Sequence, residues 1–254
     1  MLAAERRRII SERIKATGQV VVSALSAEYE VSEETIRRDL EWLEKEGIAV
    51  RIYGGAVLAG NDRISPPYSI RKNTNIEPKV SVARILSRLV QEGDTLMVDE
   101  SSTAAYAVRA LRHLKRLTLI TNSLELLREA TGQEGWHVIS TGGTLKPDVL
   151  AHVGPHALRT VSAYHARHAI LSCRGINEQL GLADSDDDVV QVKQAMVASS
   201  DCAILLADHR KFDRSGFVAL GKLDLVDKLI TDCEPDPQWQ ERLQQAGVEL
   251  LYGE

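Results

Sequence analysis

The chain has 254 residues, 44% of them hydrophobic and 26% charged, and a formal net charge of −5, which excludes a disordered chain and does not favour nucleic acid as a partner. No apolar run reaches the roughly 18 residues of a membrane span, and residues 1–15 lack the apolar segment of a secretory signal, so we expect no membrane partner. The three cysteines are too widely spaced for a disulfide framework or a zinc motif, which predicts a protein of the reducing cytoplasm.

The first predicted element is a short amphipathic helix near the N-terminus. Ile10 and Ile14 are four residues apart among charged residues, which is the spacing of one buried helical face. Gly18 is expected to end this helix, because glycine adopts the left-handed conformation that follows many helices.

Two further helices are predicted with about two residues between them, which is helix-turn-helix spacing. Ser23 is predicted to cap the second helix, with Leu25 and Tyr29 on one face. Ser32 is predicted to cap the third, whose first turn carries two glutamates at the positive end of the helix dipole. Gly47 is expected to end the third helix.

Two β-prone runs around Gly54 and Gly55 predict a hairpin directly after the third helix, in the position of a wing. Residues 1–58 are therefore predicted to form a winged helix-turn-helix domain. Residues 59–78 hold three of the seven prolines and show no period, which predicts a linker.

Residues 79–254 have a different pattern, in which short β-prone runs alternate with segments of helical length. This alternation predicts a doubly wound α/β domain with a largely parallel sheet covered on both faces. The predicted strands are 95–99, 117–122, 137–143, 168–173, 202–208, 228–232 and 248–252.

The third helix has a candidate DNA-reading face. Ile36 and the leucines after it share one side, whereas Thr35, Arg37 and Arg38 are grouped on the exposed side near the N-terminal end. Arginine can hydrogen-bond guanine or phosphate, and threonine can contact phosphate or a thymine methyl group. A helix of this diameter fits the major groove.

Considered alone, the third helix is also explained as a solvated amphipathic helix, and Glu34 and Glu41 weaken the electrostatic argument. The adjacent helix and the wing favour DNA, with Arg51 and Tyr53 as candidates for backbone or minor-groove contact. Residues 1–60 carry nine Lys or Arg and ten Asp or Glu, so this near-neutral module predicts modest non-specific affinity and reliance on base contacts.

The string TIRRDL after Ser32, the earlier Arg6, Ile10 and Ile14, and the RIYGGA wing resemble the N-terminal signature of the DeoR-type repressors of bacterial sugar catabolism. The resemblance covers nearly the whole chain and implies operator DNA as a partner, a homo-oligomer (dimer or tetramer) and no enzymatic activity. Asp39 lies beside the core face and is expected to pair with an arginine of the first helix. The candidate DNA-binding residues are Ser32, Thr35, Arg37, Arg38, Arg51 and Tyr53.

Polar residues cluster where the predicted strands of residues 79–254 end. In open α/β sheets, ligands bind at the carboxyl ends of the strands, and the helices that follow present free N–H groups to anions. The candidate effector-binding residues are Asp99, Ser101, Ser102, Thr103, Asn122, Gly142, Gly143, Arg174, Lys193, Asp208 and Lys211.

The DeoR-type resemblance implies an effector domain similar in fold to ribose-phosphate isomerases, which senses a phosphorylated sugar or a related metabolite and needs no cofactor. The family's first pocket loop is usually Asp-Ser-Gly-Thr-Thr, whereas this chain has Glu100 and Ser101 at the second and third positions. An inward-facing Glu100 repels phosphate, so the sequence predicts either a different ligand or a Glu100 that faces solvent. Arg174 is a candidate to compensate for Glu100 or to bind the anion.

Several side chains also have simpler interpretations. Lys193 alone is a surface lysine whose stem packs on apolar residues, and Gly142-Gly143 alone is a turn. The acidic run 184–188 is explained by the start of a helix, and the histidines lack ligand partners at matching spacing, so no metal site is predicted.

Two other functions are also consistent with the sequence. A sugar-phosphate isomerase with an accessory helical module needs a general base, for which Asp99, Glu100 or Asp208 is available. A metabolite-sensing scaffold that binds protein through its N-terminal helices is the other alternative, and its interactions should depend less on salt than DNA binding does.

Overall fold

The computed structural model describes residues 2–52, 54–58 and 65–253, without the side chain of Ile52. The chain divides into two compact units, Met1–Thr74 and Asn75–Glu254. Within residues 59–78, the predicted linker, the described part contains one short helix and the start of another.

The first unit combines helices with one small antiparallel sheet, whose strand order is β1-β3-β2. Its elements are α1 Ala3–Thr17, β1 Gln19–Val21, α2 Val22–Tyr29, α3 Glu33–Lys45, β2 Ala49–Ile52, β3 Gly55–Leu58 and α4 Tyr68–Arg71.

The core of the first unit is built from the apolar faces that the sequence predicts. Ile10 and Ile14 of α1 are fully buried against Ile36 and Leu40 of α3 and Leu25 of α2. The two strands of the wing follow α3, as the glycine pair predicts. The winged helix-turn-helix prediction is therefore confirmed.

The predicted cap of α2 is wrong. The helix begins at Val22, and its cap residue is Val21 rather than Ser23. The cause is a strand that the sequence analysis does not predict. Gln19–Val21 pairs with β3, and the Val22 N–H donates to the Gly54 carbonyl at 2.7 Å, so tertiary pairing places the helix start one residue before Ser23.

The second unit alternates strands and helices along most of its length. Its elements are α5 Ile76–Leu86, β4 Thr95–Val98, α6 Ser102–Ala110, β5 Leu117–Thr121, α7 Leu124–Ala130, β6 Trp136–Ser140, β7 Thr144–Lys146, β8 Ala151–Val153, α8 Pro155–Ser162, β9 Ala166–Leu171, β10 Gly175–Asn177, β11 Gly181–Asp184, α9 Asp187–Ala198, β12 Ser200–Leu206, the 3₁₀ helix η1 His209–Lys211, β13 Val218–Gly221, the 3₁₀ helix η2 Leu223–Leu225, β14 Lys228–Thr231, α10 Pro237–Gln245 and β15 Glu249–Tyr252.

Seven of these strands form one parallel sheet in the order β15-β14-β12-β9-β4-β5-β6. Successive residues of the central strands, such as Leu96, Met97 and Val98, are all buried, so both faces of the sheet are covered. All seven correspond to predicted strands, and the α/β fold class is confirmed. Among the described residues, no helix is long and apolar enough to cross a bilayer.

Five shorter strands were not predicted. β7 pairs with β8, and β10, β11 and β13 form a separate antiparallel sheet. Their segments are three or four residues long, which is too short for a clear period of two. They matter for the site because β11 ends at Asp184.

Candidate DNA interface and effector site

The N-terminus of α3 is capped as the sequence predicts. The Ser32 hydroxyl oxygen accepts a hydrogen bond from the Thr35 N–H at 3.2 Å, and the two hydroxyl oxygens are 2.9 Å apart. Glu33 and Glu34 occupy the first turn. Two of the candidate DNA contacts, Ser32 and Thr35, therefore also build the helix start.

A buried ion-pair cluster fixes α3 against α1. The Arg6 Nε donates to one oxygen of the Asp39 carboxylate at 2.5 Å, and the Arg7 Nε donates to the other at 2.8 Å. Arg6 and Asp39 are both buried. The structural interpretation of Asp39 is therefore supported by two arginines rather than one.

The two arginines on the candidate reading face are exposed and paired within their own helix. Arg37 donates to Glu33 at 2.6 Å, and the Arg38 Nε lies 3.4 Å from a Glu34 oxygen. The Arg38 side chain is 74% exposed. Both arginines belong to the first half of α3, and each is partly engaged by a glutamate of the same helix.

The candidate wing residues differ in what the structure shows. Arg51 is held against α3, because its backbone N–H and its Nε donate to the two Glu44 oxygens at 2.9 and 2.7 Å. These hydrogen bonds hold the pKa of Glu44 below its ordinary value despite partial burial. Tyr53 lies outside the described residues.

At the carboxyl edge of the parallel sheet, Asp99 joins two neighbouring strand ends. Its carboxylate accepts from the Ser101 N–H at 2.9 Å and from the Ser172 N–H at 2.8 Å. The Ser101 hydroxyl in turn caps α6 by accepting from the Ala104 N–H at 3.0 Å. Ser102 and Thr103 are buried in the first turn of α6.

Lys193 lies in the middle of this edge, and its interpretation as a surface lysine is wrong. It is 2% exposed, and its Nζ donates to the Ser172 carbonyl at 2.8 Å and to Asp184 at 2.7 Å. Asp99 and Glu100 oxygens lie 3.1 and 3.3 Å away. Glu100 is buried in this cluster, so of the two alternatives the one in which it faces solvent is wrong.

The charges of this cluster are mutually stabilising. Burial by itself lowers the pKa of Lys193, but the Asp184, Asp99 and Glu100 carboxylates outweigh it and raise that pKa well above its ordinary value. Burial raises the pKa of Asp184, yet the Lys193 charge and hydrogen bond bring it below its ordinary value. Lys193 is therefore charged, and four oxygens within 3.3 Å use its three protons.

Lys211 is the second cation at this edge and has a different environment. Its Nζ donates to the Ser172 hydroxyl at 2.8 Å and to the Cys173 carbonyl at 2.5 Å. These two hydrogen bonds use two of its three protons, and no ion pair between Lys211 and a carboxylate is found among the described residues. Burial raises the pKa of the Cys173 thiol to about 11, so this thiol stays neutral beside it.

Asn122 follows β5 and is completely buried. Its Nδ2 donates to the His152 carbonyl at 3.3 Å, whereas its Oδ1 has no hydrogen-bond donor in the structure. Buried amide oxygens are normally satisfied by protein, water or ligand. The Asn122 Oδ1 is thus a buried acceptor that no described donor satisfies.

The remaining candidates have mainly structural explanations in the described residues. Gly143 has φ +114°, and a Cβ there would lie 2.6 Å from the Val153 carbonyl oxygen, so close packing requires glycine. Gly142 has φ +58° with open space around it. Asp208 is buried and caps η1 by accepting from the Arg210 N–H at 3.1 Å. Arg174 is half-buried after β9.

The candidates share one edge but not one small site. Neighbouring strands are about 4.8 Å apart, so the ends of β9 and β5 are separated by about 10 Å and those of β12 and β6 by about 19 Å. Because Lys211 reaches back to Ser172 after β9, Lys211, Asp99 and Asn122 form the central group of this edge. Gly142 and Gly143, after β6, lie farther away.

Asp184 is the residue of this site that sequence reasoning missed. It stands in the acidic run before α9, where Asp186 is the cap and Asp187 and Asp188 occupy the first turn, as expected. Asp184 instead ends β11 and pairs with Lys193. Only the unpredicted antiparallel sheet brings it there.

Two family models match the chain. The DeoR-like helix-turn-helix domain matches residues 6–61, and the DeoR C terminal sensor domain matches residues 74–233.

The chain is similar to two curated bacterial proteins over almost their whole lengths. It is 38% identical to an uncharacterized HTH-type transcriptional regulator of Bacillus subtilis (strain 168), YulB, over 98% of this chain and 96% of that protein. It is 31% identical to the glycerol-3-phosphate regulon repressor of Escherichia coli (strain K12), over 92% and 93% respectively. Both carry the names of transcriptional regulators rather than enzymes, so the isomerase alternative has no support from them.

Among solved structures, ribose 5-phosphate isomerase A of Methanocaldococcus jannaschii aligns with 55% of this chain and 55% of its own, with 17% identity and a TM-score of 0.41.

Proposed function

The chain belongs to the DeoR family of transcriptional regulators, and on that premise we propose that it is a homo-oligomeric repressor. Its affinity for operator DNA changes when a phosphorylated sugar or a related metabolite binds at the carboxyl edge of the parallel sheet. Such a response requires that the effector bind more tightly to one state of the protein than to the other.

The DNA-binding part of the proposal depends on the exposed end of α3. Arg37 and Arg38 are paired with glutamates of the same helix, and exposed pairs of this kind contribute only about 0–1 kcal/mol. DNA phosphates or guanine edges can therefore replace the glutamates at little cost. Helix-turn-helix dimers address half-sites about one DNA turn apart, which motivates the proposed oligomer.

The buried Asn122 Oδ1 is the observation that carries the effector proposal. An acceptor without a donor in a buried position favours a ligand with hydroxyl groups. About two strand spacings away, Lys211 has one proton left for an anionic group. A hydroxylated metabolite with one anionic group matches both.

Glu100 changes how this chain can hold an anion. Because the carboxylates of Asp99, Glu100 and Asp184 surround Lys193, that lysine stabilises the site instead of binding the ligand. The anionic group of the effector is then held by Lys211, with the half-buried Arg174 as a second candidate.

A thermal-shift screen of the full chain against phosphorylated sugars, their unphosphorylated forms and sugar acids tests the effector proposal. A ligand at 100 times its Kd stabilises the native state by about 2.7 kcal/mol, which such a screen detects. We expect a hit that is lost in Lys211→Ala and kept in Arg38→Ala. Equal shifts for Lys211→Ala and the parent would contradict this placement.

Selection from random duplexes, followed by fluorescence anisotropy with the selected sequence, tests the DNA-binding proposal. We expect sequence-selective binding in moderate salt that weakens steeply as salt rises. Binding to no duplex, or binding that salt does not change, would favour the scaffold alternative. Light scattering of the free and DNA-bound protein measures the oligomer.

A further inference from the structure

We propose that His209, Asp232 and Cys233 form a binding site for a divalent metal ion of the zinc type. In the described residues, this is the one group of three or more His, Cys, Asp or Glu side chains whose ligand atoms all lie within 4.8 Å of one another. The spacing of His209, Asp232 and Cys233 along the chain predicts no metal site.

The fold brings these residues together from two adjacent strands. β12 and β14 are parallel neighbours, with Leu206 opposite Ile230 in the ladder. His209 starts η1 three residues after β12 ends, and Asp232 and Cys233 directly follow β14. The three side chains therefore meet at the carboxyl edge, and none of them contributes to the Lys193 cluster.

The Asp232 carboxylate is already oriented for this role. One of its oxygens accepts from the His209 N–H at 2.7 Å, and the other lies 2.7 Å from the His209 Nδ1. The first contact anchors the carboxylate to the backbone of η1. The second is a hydrogen bond in which the ring N–H donates to the carboxylate, and a metal ion that binds both atoms takes the place of that proton.

The movements required for metal binding are small. Zinc bonds to nitrogen and oxygen are about 2.0–2.2 Å long, so tetrahedral ligation separates the two atoms by about 3.3 Å instead of the present 2.7 Å. The thiol sulfur lies within 4.8 Å of the other two ligand atoms. Zinc–sulfur bonds of about 2.3 Å would place it about 3.6 Å from them, so it must approach by no more than about 1.2 Å. Cys233 is exposed, so its side chain has room to rotate.

The donor set determines the class of ion. Imidazole nitrogen and thiolate sulfur select zinc and related transition metals, whereas magnesium and calcium prefer oxygen ligands only. Three protein ligands leave a fourth position for water or for a ligand. His209 lies in the same 3₁₀ turn as Lys211, so a bound ion also holds the turn that presents Lys211. This last consequence rests on the proposed function, whereas the metal site itself does not.

Cobalt and zinc titrations of the metal-free full chain, without DNA or effector, test the site. We expect one equivalent of Co²⁺ per chain with a thiolate-to-cobalt charge-transfer band. The band should disappear in Cys233→Ser. His209→Gln should weaken Zn²⁺ binding, measured by competition with a chromophoric chelator, by at least the roughly tenfold that loss of an outer-shell partner causes. Cys202 is a half-buried thiol near the opposite end of β12. Cys202→Ser is therefore the matched control and should change neither the cobalt band nor the affinity for Zn²⁺.

A second measurement needs no variant at the site. Zn²⁺ should protect Cys233 of the unmodified chain from iodoacetamide, with labelling of each cysteine read by peptide mass spectrometry, and should leave Cys202 labelling unchanged. Binding that Cys233→Ser does not alter, or equal labelling of Cys233 with and without Zn²⁺, would overturn the proposal. Effector binding that fails while these tests succeed would count against the proposed function alone.

Discussion

Replacing Lys193 with methionine should destabilise the protein by about 3–5 kcal/mol at pH 7, because it leaves buried carboxylates without their cation. Lys193 is 2% exposed, and its ammonium group is the shared partner of Asp99, Glu100 and Asp184. Methionine keeps most of the length of the side chain, so the loss of charge dominates over the loss of packing.

The size of this destabilisation follows from the way of removing the repulsion among the three carboxylates that costs the least free energy. One of the three carboxyl groups can take up a proton, which costs about 4 kcal/mol at pH 7 for a group with an ordinary pKa near 4. The same proton costs about 1.4 kcal/mol at pH 5. The pKa of that carboxyl group is raised in the folded variant, so its stability should recover as the pH falls. The difference in unfolding free energy between the parent protein and Lys193→Met should therefore shrink by about 2.7 kcal/mol between pH 7 and pH 5.

Urea unfolding followed by circular dichroism at both pH values measures this effect. Lys211→Met is the matched control, because Lys211 donates to the Ser172 hydroxyl and the Cys173 carbonyl and touches no carboxylate in the described residues. It should cost about 1–2 kcal/mol at either pH. In the Lys193→Met background, Glu100→Gln should restore part of the loss. A deficit below about 1 kcal/mol for Lys193→Met, unchanged by pH, would refute the reasoning.

Three further predictions concern other parts of the chain. Arg38→Ala should weaken specific operator binding by about 1–3 kcal/mol in fluorescence anisotropy. Arg116 is an exposed arginine of the second unit, and Arg116→Ala should leave operator binding unchanged. Equal losses of affinity in the two variants would show that Arg38 does not contact a base. Asp39→Ala leaves Arg6 buried without its carboxylate, so it should cost about 3–5 kcal/mol in urea unfolding, and a loss below about 1 kcal/mol would contradict the cluster. Burial lowers the pKa of His168, whose ring nitrogens lack hydrogen bonds, so the free energy of unfolding should fall as the pH drops below about 6.5. This dependence of unfolding free energy on pH should be weaker in His168→Gln, and an unchanged dependence would show that His168 does not cause it.

Much of the fold follows from local patterns. The Ser32 cap and the apolar spacing from Ile36 onward predict α3 correctly, and seven short apolar runs predict the seven parallel strands. These features depend on side-chain periodicity and on hydrogen bonds between residues close in sequence, so the chain itself displays them. The strand ends also identify the edge where most candidate effector residues lie, because parallel strands align their carboxyl ends.

The errors involve residues whose partners are distant in the chain. The strand Gln19–Val21 exists because of its pairing with β3, and that pairing moves the start of α2 away from Ser23. The position of Asp184 depends on an antiparallel sheet built from segments of three or four residues.

The amino-acid sequence by itself determined the family, the order of elements and the edge of the sheet where a ligand is expected. The tertiary structure alone decided the charge state and role of Lys193, since a lysine in an apolar helix is a surface residue unless carboxylates surround it. It also decided that Glu100 faces inward and that His209 meets Cys233. Burial and ion pairing act over a few ångströms in space between residues far apart in sequence, and spacing along the chain does not encode those distances.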